Sequence, residues 1–250
     1  MRHFLIAAAL AAAGLAGIAA APSVARATQG MLAWDRCLLE SGTVTKTFAC
    51  DTNTGSETIV GSFVPPAGIT QFQGLEITID LMTNQESSWP NWWAFRNAGT
   101  CRTSALTMQW NFQQGDGYGC TKLWGGEALG GIHSFQFPYF AFAGYRARFS
   151  AVVAVPPQSA RPLSADTTYD AFTLTIDHAK TVGDGACSGC DAPVCATVTK
   201  LVWTQPVGVG DFLWDGGGQS LLLWQSSVPT CPASIPTRHA TWGALKSLYR

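Results

Sequence analysis

The chain has 250 residues, of which only 12% are charged, and a formal net charge of −1. With about half the usual ~25% of charged residues it cannot build the basic stripe that neutralises phosphates or the polybasic patch that grips anionic lipid, so nucleic acid is excluded as a partner. Its eight cysteines are too sparse to build a fold by themselves; they reinforce a chain long enough to bury its own core.

The N-terminus gives an address. Arg2 and His3 form a short positive region, Phe4 to Ala21 is an unbroken Ala/Gly/Leu/Ile-rich run, and Pro22 and Ser23 break it. Ala25-Arg26-Ala27 then supplies a small-x-small cleavage site. This is the pattern of a secretory signal peptide over residues 1–27, which leaves 28–250 as one domain. The run is too rich in Ala and Gly to hold well as a membrane anchor. No later apolar stretch is long enough to cross a bilayer, so no membrane span is expected after cleavage. Losing Arg2 and Arg26 takes the remaining formal charge to −3.

Beyond the signal, alternation with period two dominates. Strands are expected at Thr43–Ala49 and Thr58–Val64, then at Leu75, Ile77, Ile79 and Leu81, with Glu76, Thr78 and Asp80 on the other face. Leu106, Met108, Trp110 and Phe112 alternate with polar residues in the same way, as do Phe172, Leu174 and Ile176. Further strands are expected at Ser134–Phe137, Gly144–Val155, Ala196–Thr204 and Ser220–Gln225. Each reads as an extended segment with one face on a core and one in water. Val64-Pro65-Pro66, Val155-Pro156-Pro157 and Gln205-Pro206 punctuate them. Many short strands with turn signals and no long helical pattern predict an all-β fold, an antiparallel β-sandwich or jelly roll stapled by disulfides. A short helix is expected only at the end. There Thr241 can cap and Trp242, Leu245, Leu248 and Tyr249 follow at helical spacing, with Lys246 and Arg250 where the helix dipole favours cations.

In an exported chain an even number of cysteines reads as disulfides. Cys37 and Cys50 bracket one expected hairpin and Cys101 and Cys120 another, so each is expected to pair with its neighbour. Cys187, Cys190, Cys195 and Cys231 allow three pairings that sequence does not separate. The same cluster, with His178, has the donors for a zinc site. Disulfides are the stronger reading, and no metal or other cofactor is expected.

Trp89-Pro90-Asn91-Trp92-Trp93 stands out among ten tryptophans. Exposed, these rings would make a stacking platform for a carbohydrate; buried beside Cys101, they would pack a core with their N–H groups bonded. His178 continues the apolar register of Phe172, Leu174 and Ile176, which predicts a hydrogen-bonded histidine at a core edge. Asp51-x-Asn53-x-Gly55-x-Glu57 has glycine where a calcium loop needs an oxygen ligand, so a turn is expected. Glu76 and Asp80 lie roughly 13 Å apart along one strand face, too far for the ~5–9.5 Å between paired hydrolytic carboxylates. No nucleophile elbow, His-Glu-x-x-His or phosphate loop occurs.

Several segments carry a resemblance. They are Gly61-Ser62-Phe63-Val64-Pro65-Pro66-Ala67-Gly68, Trp92-Trp93-x-Phe95-x4-Thr100-Cys101-Arg102, Gly185-Ala186-Cys187-x-Gly189-Cys190-x2-Pro193-x-Cys195, and Thr241-Trp242-Gly243-x2-Lys246-Ser247-Leu248-Tyr249-Arg250. Together they resemble a family of secreted bacterial proteins to which no activity is assigned. The resemblance implies export and a shared domain over nearly the whole mature chain, and it transfers no site residue.

The expectation is a secreted, non-catalytic β-sandwich with a surface, structural or binding role, in the extracellular space, at the cell surface or in the periplasm. Its partner would be a glycan or another surface protein. The second reading is a carbohydrate-binding module using Trp89, Trp92 and Trp93. The third is a secreted hydrolase with carboxylates on separate strands. Trp242, Leu245, Lys246, Leu248, Tyr249 and Arg250 are a candidate recognition segment for a sorting or assembly partner.

Overall fold

Side chains that alternate in polarity favour an extended chain with two unlike faces, and the computed structural model is built from such segments. It describes residues 28–83, 89–97, 99–110, 117–137, 146–215 and 221–225. The strands are β1 (Gln29–Trp34), β2 (Thr45–Lys46), β3 (Ser56–Val64), β4 (Gly74–Thr83), β5 (Leu106–Gln109) and β6 (Thr121–Lys122). They continue with β7 (Leu129–Gln136), β8 (Arg146–Ala154), β9 (Tyr169–Asp177), β10 (Val194–Thr204), β11 (Phe212–Trp214) and β12 (Leu221–Trp224). The helical elements among the described residues are short 3₁₀ turns, such as Asn91–Trp93.

Two sheets result. The first runs β1-β3-β9-β5, with β6 also beside β9; the second runs β2-β12-β10-β4-β8-β7, with β11 also beside β10. Pairing is antiparallel except for the two shortest strands, since β2 lies parallel to β12 and β6 parallel to β9. Leu32, Ile59, Leu174 and Ile176 from the first sheet meet Ile77, Ile79, Phe149, Val198 and Leu222 from the second in one core. The polar partners on β4 point the other way. At one edge the sheets are joined, because Trp34 at the end of β1 donates from Nε1 to the Leu223 carbonyl on β12, at 3.1 Å. Gly61 lies at a β-bulge opposite Phe172, where a Cβ would stand 2.2 Å from that ring. Only glycine fits such an approach.

The all-β sandwich with disulfides expected from the sequence is present. The expected strand over Thr43–Ala49 contracts to Thr45–Lys46, and β1, β6 and β11 were not anticipated. β1 is apolar and buried on both faces from Met31 to Trp34, so it carries no alternation to read. The signal segment 1–27 and the C-terminal helix expected after Thr241 lie outside the described residues. No helix among the described residues is long and apolar enough to cross a membrane.

The expected cysteine pairs are corrected. Cys37 bonds Cys120, Cys50 bonds Cys190, and Cys101 bonds Cys187. The hairpins that would have put neighbours together do not form: β1 leads by a long connection to its partner β3, and β5 pairs with β9. Cysteines therefore meet where loops converge. Cys37 donates its N–H to the Tyr118 carbonyl, which places it beside Cys120. Cys195 is also disulfide-bonded, and Cys231 lies outside the described residues.

Candidate functional site

Two polar constellations stand at the same end of the sandwich, where the connection before β3 and the turn after β9 meet the segment around Trp92. The first is built on Arg102. Phe95 and Arg102 form an isolated bridge, which aims the guanidinium inward. There it lies 3.6 Å from the Trp92 ring centroid and 5.5 Å from that of Phe95. Its Nη1 donates to the Trp92 carbonyl at 2.9 Å and its Nε to the Ala179 carbonyl at 3.0 Å. Nη2 donates to the Asp177 carbonyl and lies 3.6 Å from that residue's carboxylate. Burial pushes Arg102 down to about 10, against the opposing pull of Asp177, so the group stays cationic at neutral pH. A buried guanidinium has to fill its fork of donors; here three backbone carbonyls do so.

The tryptophans are core, not platform. Trp89, Trp92 and Trp93 are 8%, 0% and 2% exposed. Trp89 donates to the Trp93 carbonyl and Trp92 to the Thr181 hydroxyl. Cys101–Cys187 and Cys50–Cys190 flank this cluster, and the Trp92 N–H bonds the Ser188 carbonyl between those two bridged cysteines. Asn53 completes the corner. Its Oδ1 accepts the N–H groups of Thr181 and Val182 at 2.7 and 3.0 Å, and its Nδ2 donates to the Val182 carbonyl. The stretch 51–55 is thus a turn that leads into β3 and clamps the chain after β9, as its glycine spacing implied.

The second constellation is a chain of four side chains from separate segments: Asp35 after β1, Lys46 on β2, Glu57 on β3 and His178 after β9. Lys46 Nζ lies 2.6 Å from Asp35 Oδ2 and 2.7 Å from Glu57 Oε2. The other Glu57 oxygen lies 3.1 Å from His178 Nε2. Burial works against the Lys46 ammonium, but hydrogen bonds and charge from Asp35 and Glu57 outweigh it and raise the group above its ordinary 10.5. A carboxylate only accepts, so Nε2 of His178 donates to Glu57. His178 stacks on Phe48, with ring centroids 4.7 Å apart, and its buried Nδ1 has no hydrogen-bond partner among the described residues. The register reading of His178 as a bonded core-edge histidine holds.

A histidine–carboxylate pair is two thirds of an acyl-transfer triad. The hydroxyl close to it belongs to Thr181, which donates to the carbonyl of His178 itself and accepts from Trp92. It is engaged in packing and does not face the imidazole as a nucleophile. The strand carboxylates are paired as well. Asp80 takes Arg148 bidentately at 2.6 and 2.8 Å, and Glu76 takes Lys200 at 3.2 Å. Both are cross-strand ladders on the outer face of the second sheet. Among the described residues no cluster of His, Cys, Asp or Glu is arranged to hold a metal ion.

Between the sheets a cavity of about 30 Å³ is lined by Trp93, Phe95, Phe135, Leu174, Ala196 and other apolar side chains. An apolar cavity that takes benzene measures about 150 Å³, so this one is a packing gap and not a ligand chamber. Sequence reasoning gave Arg102, Glu57 and Lys46 no role in a site. Arg102 stood only as the end of a resembling segment and Glu57 as the end of the Asp51–Glu57 motif, and nothing local marks Lys46.

No protein-family model matches the chain, and no curated protein matches it.

Proposed function

We propose that this protein acts outside the cytoplasm as a non-catalytic, disulfide-stapled β-sandwich with a structural or binding role at a surface. The observation that carries the reading is the set of three bridges that fasten the loops between strands to one another. Such bridges persist in oxidising compartments and are reduced in the cytosol. The secretory pattern of residues 1–27 supports the same location. The non-catalytic part is supported by where the reactive groups go: Glu57, Asp80, Glu76 and Arg102 are each engaged in joining strands or loops. A glycan or another surface protein remains the class of partner, reached by surfaces other than the buried tryptophans. The segment with Trp242, Leu245, Lys246, Leu248, Tyr249 and Arg250 is the element proposed to be read by a sorting or assembly machine.

The test is to express the full chain with its leader in a Gram-negative host, fractionate the cells, and sequence the N-terminus of the exported species. A mature chain beginning at Thr28, without free thiols, supports the reading; a cytoplasmic, reduced and folded product overturns it. The exported protein would then be screened on a glycan array and by cross-linking on intact cells. Turnover of glycoside or ester substrates that is lost on Glu57→Gln would overturn the non-catalytic part.

A further inference from the structure

The outer face of the second sheet is closed at one end, where Met82, Arg146, Cys195 and Thr197 are buried, and open at the other. At the open end, register puts Leu213, Val202, Glu76, Val152 and Gly131 in one row across β11, β10, β4, β8 and β7. The core residues Trp203, Ile77 and Val153 alternate with that row along their strands, so the row points outward. Leu129 stands one row on, opposite Ala154, which pairs with Gly74 on its other side. Val152, Leu213 and Leu129 are 41%, 61% and 78% exposed. Large aliphatic side chains gathered in the open on one sheet face make a patch of the kind that marks a contact site. Around them Gly74, Gly131, Ala154 and Thr78 are small, so the face is flat and a second sheet can approach to about 10 Å. Acid and base on it come as a cross-strand pair, with Lys200 Nζ 3.2 Å from Glu76 Oε2.

We propose that this open face holds a second copy of the chain, in a two-fold dimer whose axis runs along the sheet between β4 and β10. Such an axis lays β10 on the partner's β4 and β11 on the partner's β8. Val152 then stands over Leu213 of the partner subunit, and Glu76 over the partner's β10, the strand that carries Lys200. An axis through β4 would instead set Glu76 on Glu76 of the partner subunit, like charge on like. Apolar and charged positions that complement themselves are what an isologous contact needs. Other occupants fit less well. A sugar is gripped by exposed aromatic rings, and the open side chains here are aliphatic. An anionic bilayer needs a surplus of cations, and a hydrocarbon phase would have to take the Glu76 carboxylate out of water. The contact is modest in size. Five strands spaced ~4.8 Å by three outward positions ~6.7 Å apart come to roughly 1,000 Å² over both copies, at the lower limit for a specific interface. Such a dimer dissociates at micromolar concentration. The association is set by the sheet and not by the compartment, so it stands or falls separately from the location proposed above.

The experiment is sedimentation velocity on the full, oxidised protein from ~1 to ~200 μM, a range that brackets micromolar association. Wild type is expected to pass from monomer to dimer across it. Val152→Asp and Leu213→Asp, both at exposed positions, should each weaken the dimer about tenfold or more. Leu39→Asp, at an exposed leucine on the 3₁₀ turn Leu38–Glu40, should leave it unchanged. Glu76→Lys should also weaken it, and the double variant Glu76→Lys with Lys200→Glu should restore it, because the swap re-forms the opposite charges across the axis. Should a variant fail to fold, hydrogen exchange of the wild type at low and high concentration reads the same face. Protection of β8 and β11 that rises with concentration supports the dimer, and its absence overturns it. A protein that stays monomeric throughout, a dimer indifferent to both aspartates, or a monomer that pellets with phosphatidylcholine vesicles overturns the proposal.

Discussion

Arg102 sits on the ring of Trp92 and donates a hydrogen bond to the carbonyl of that same residue, with the ring centroid 3.6 Å from the guanidinium carbon and the carbonyl oxygen 2.9 Å from Nη1. One side chain thereby fixes both the position and the backbone of the 3₁₀ turn at Asn91–Trp93. It reaches the chain after β9 through the carbonyls of Asp177 and Ala179. Arg102→Lys retains the charge but loses the planar fork, and should lower stability by about 2–4 kcal/mol as buried carbonyls lose donors. Chemical denaturation of the oxidised protein measures this. A midpoint equal to wild type would mean that water replaces the fork at no cost.

The two faces of β4 should respond differently to the same change. Ile77 is 1% exposed in the core, so Ile77→Asp places an unpaired charge there and should cost more than about 3 kcal/mol. Thr78 stands on the outer face between Glu76 and Asp80. Thr78→Asp adds a third carboxylate to that row beside Lys200, with an expected effect of about 1 kcal/mol or less. Equal losses of melting temperature in the two variants would contradict the assignment of faces.

The Lys46 bridge predicts a pH dependence with a definite sign. Its ammonium is held above the ordinary 10.5 by Glu57 and Asp35, so its pairing contributes in full below that value and is lost as pH rises through the raised one. Lys46→Met should therefore be less stable than wild type from neutral pH to pH 9, by roughly 1–3 kcal/mol, because Glu57 is left buried without its cation. The difference should shrink at more alkaline pH. Melting curves of both proteins across pH 7–11 give the comparison; a gap that widens above pH 10.5 has the wrong sign.

Most of the sheet structure could be read directly because β3, β4, β8, β9 and β10 each keep long apolar registers toward one core. β1 was hidden because its residues from Met31 to Trp34 are buried on both sides, which erases the period of two. Loops were illegible for a different reason. Which cysteine meets which depends on how connections of different length converge at the ends of the sandwich, and no local spacing encodes that. The site shows the same division. His178 was readable because it continues the apolar register of β9 by one step, whereas Lys46 and Asp35 come from a short strand and a left-handed turn residue that only tertiary packing brings beside Glu57.

The bridges themselves should carry a large share of stability. Cys50–Cys190 closes a loop with a sequence separation of 140 and Cys101–Cys187 one of 86. Loops of this size correspond to about 4–5 kcal/mol each in the chain-entropy view, with 2–5 kcal/mol typical on removal. The double variant Cys101→Ala with Cys187→Ala should melt well below wild type while keeping its far-ultraviolet β signature. An unchanged melting temperature would show that Arg102 and the tryptophans hold that corner unaided.

The connectivity also sets a requirement on how the chain is made. Of the three bridges between described cysteines, none joins two that are consecutive in sequence, and Cys37–Cys120 is interleaved with both of the others. Cys187 and Cys190 are close enough to close on each other, yet each waits for a partner that lies far earlier in the chain. A polypeptide threaded N-terminus first into an oxidising space meets its cysteines in order, and indiscriminate oxidation links Cys37 to Cys50 before Cys120 has arrived. Production by that route depends on thiol–disulfide exchange correcting early pairs. Hosts without a disulfide isomerase should accumulate a mispaired form of the same mass, separable by its slower migration on non-reducing gels.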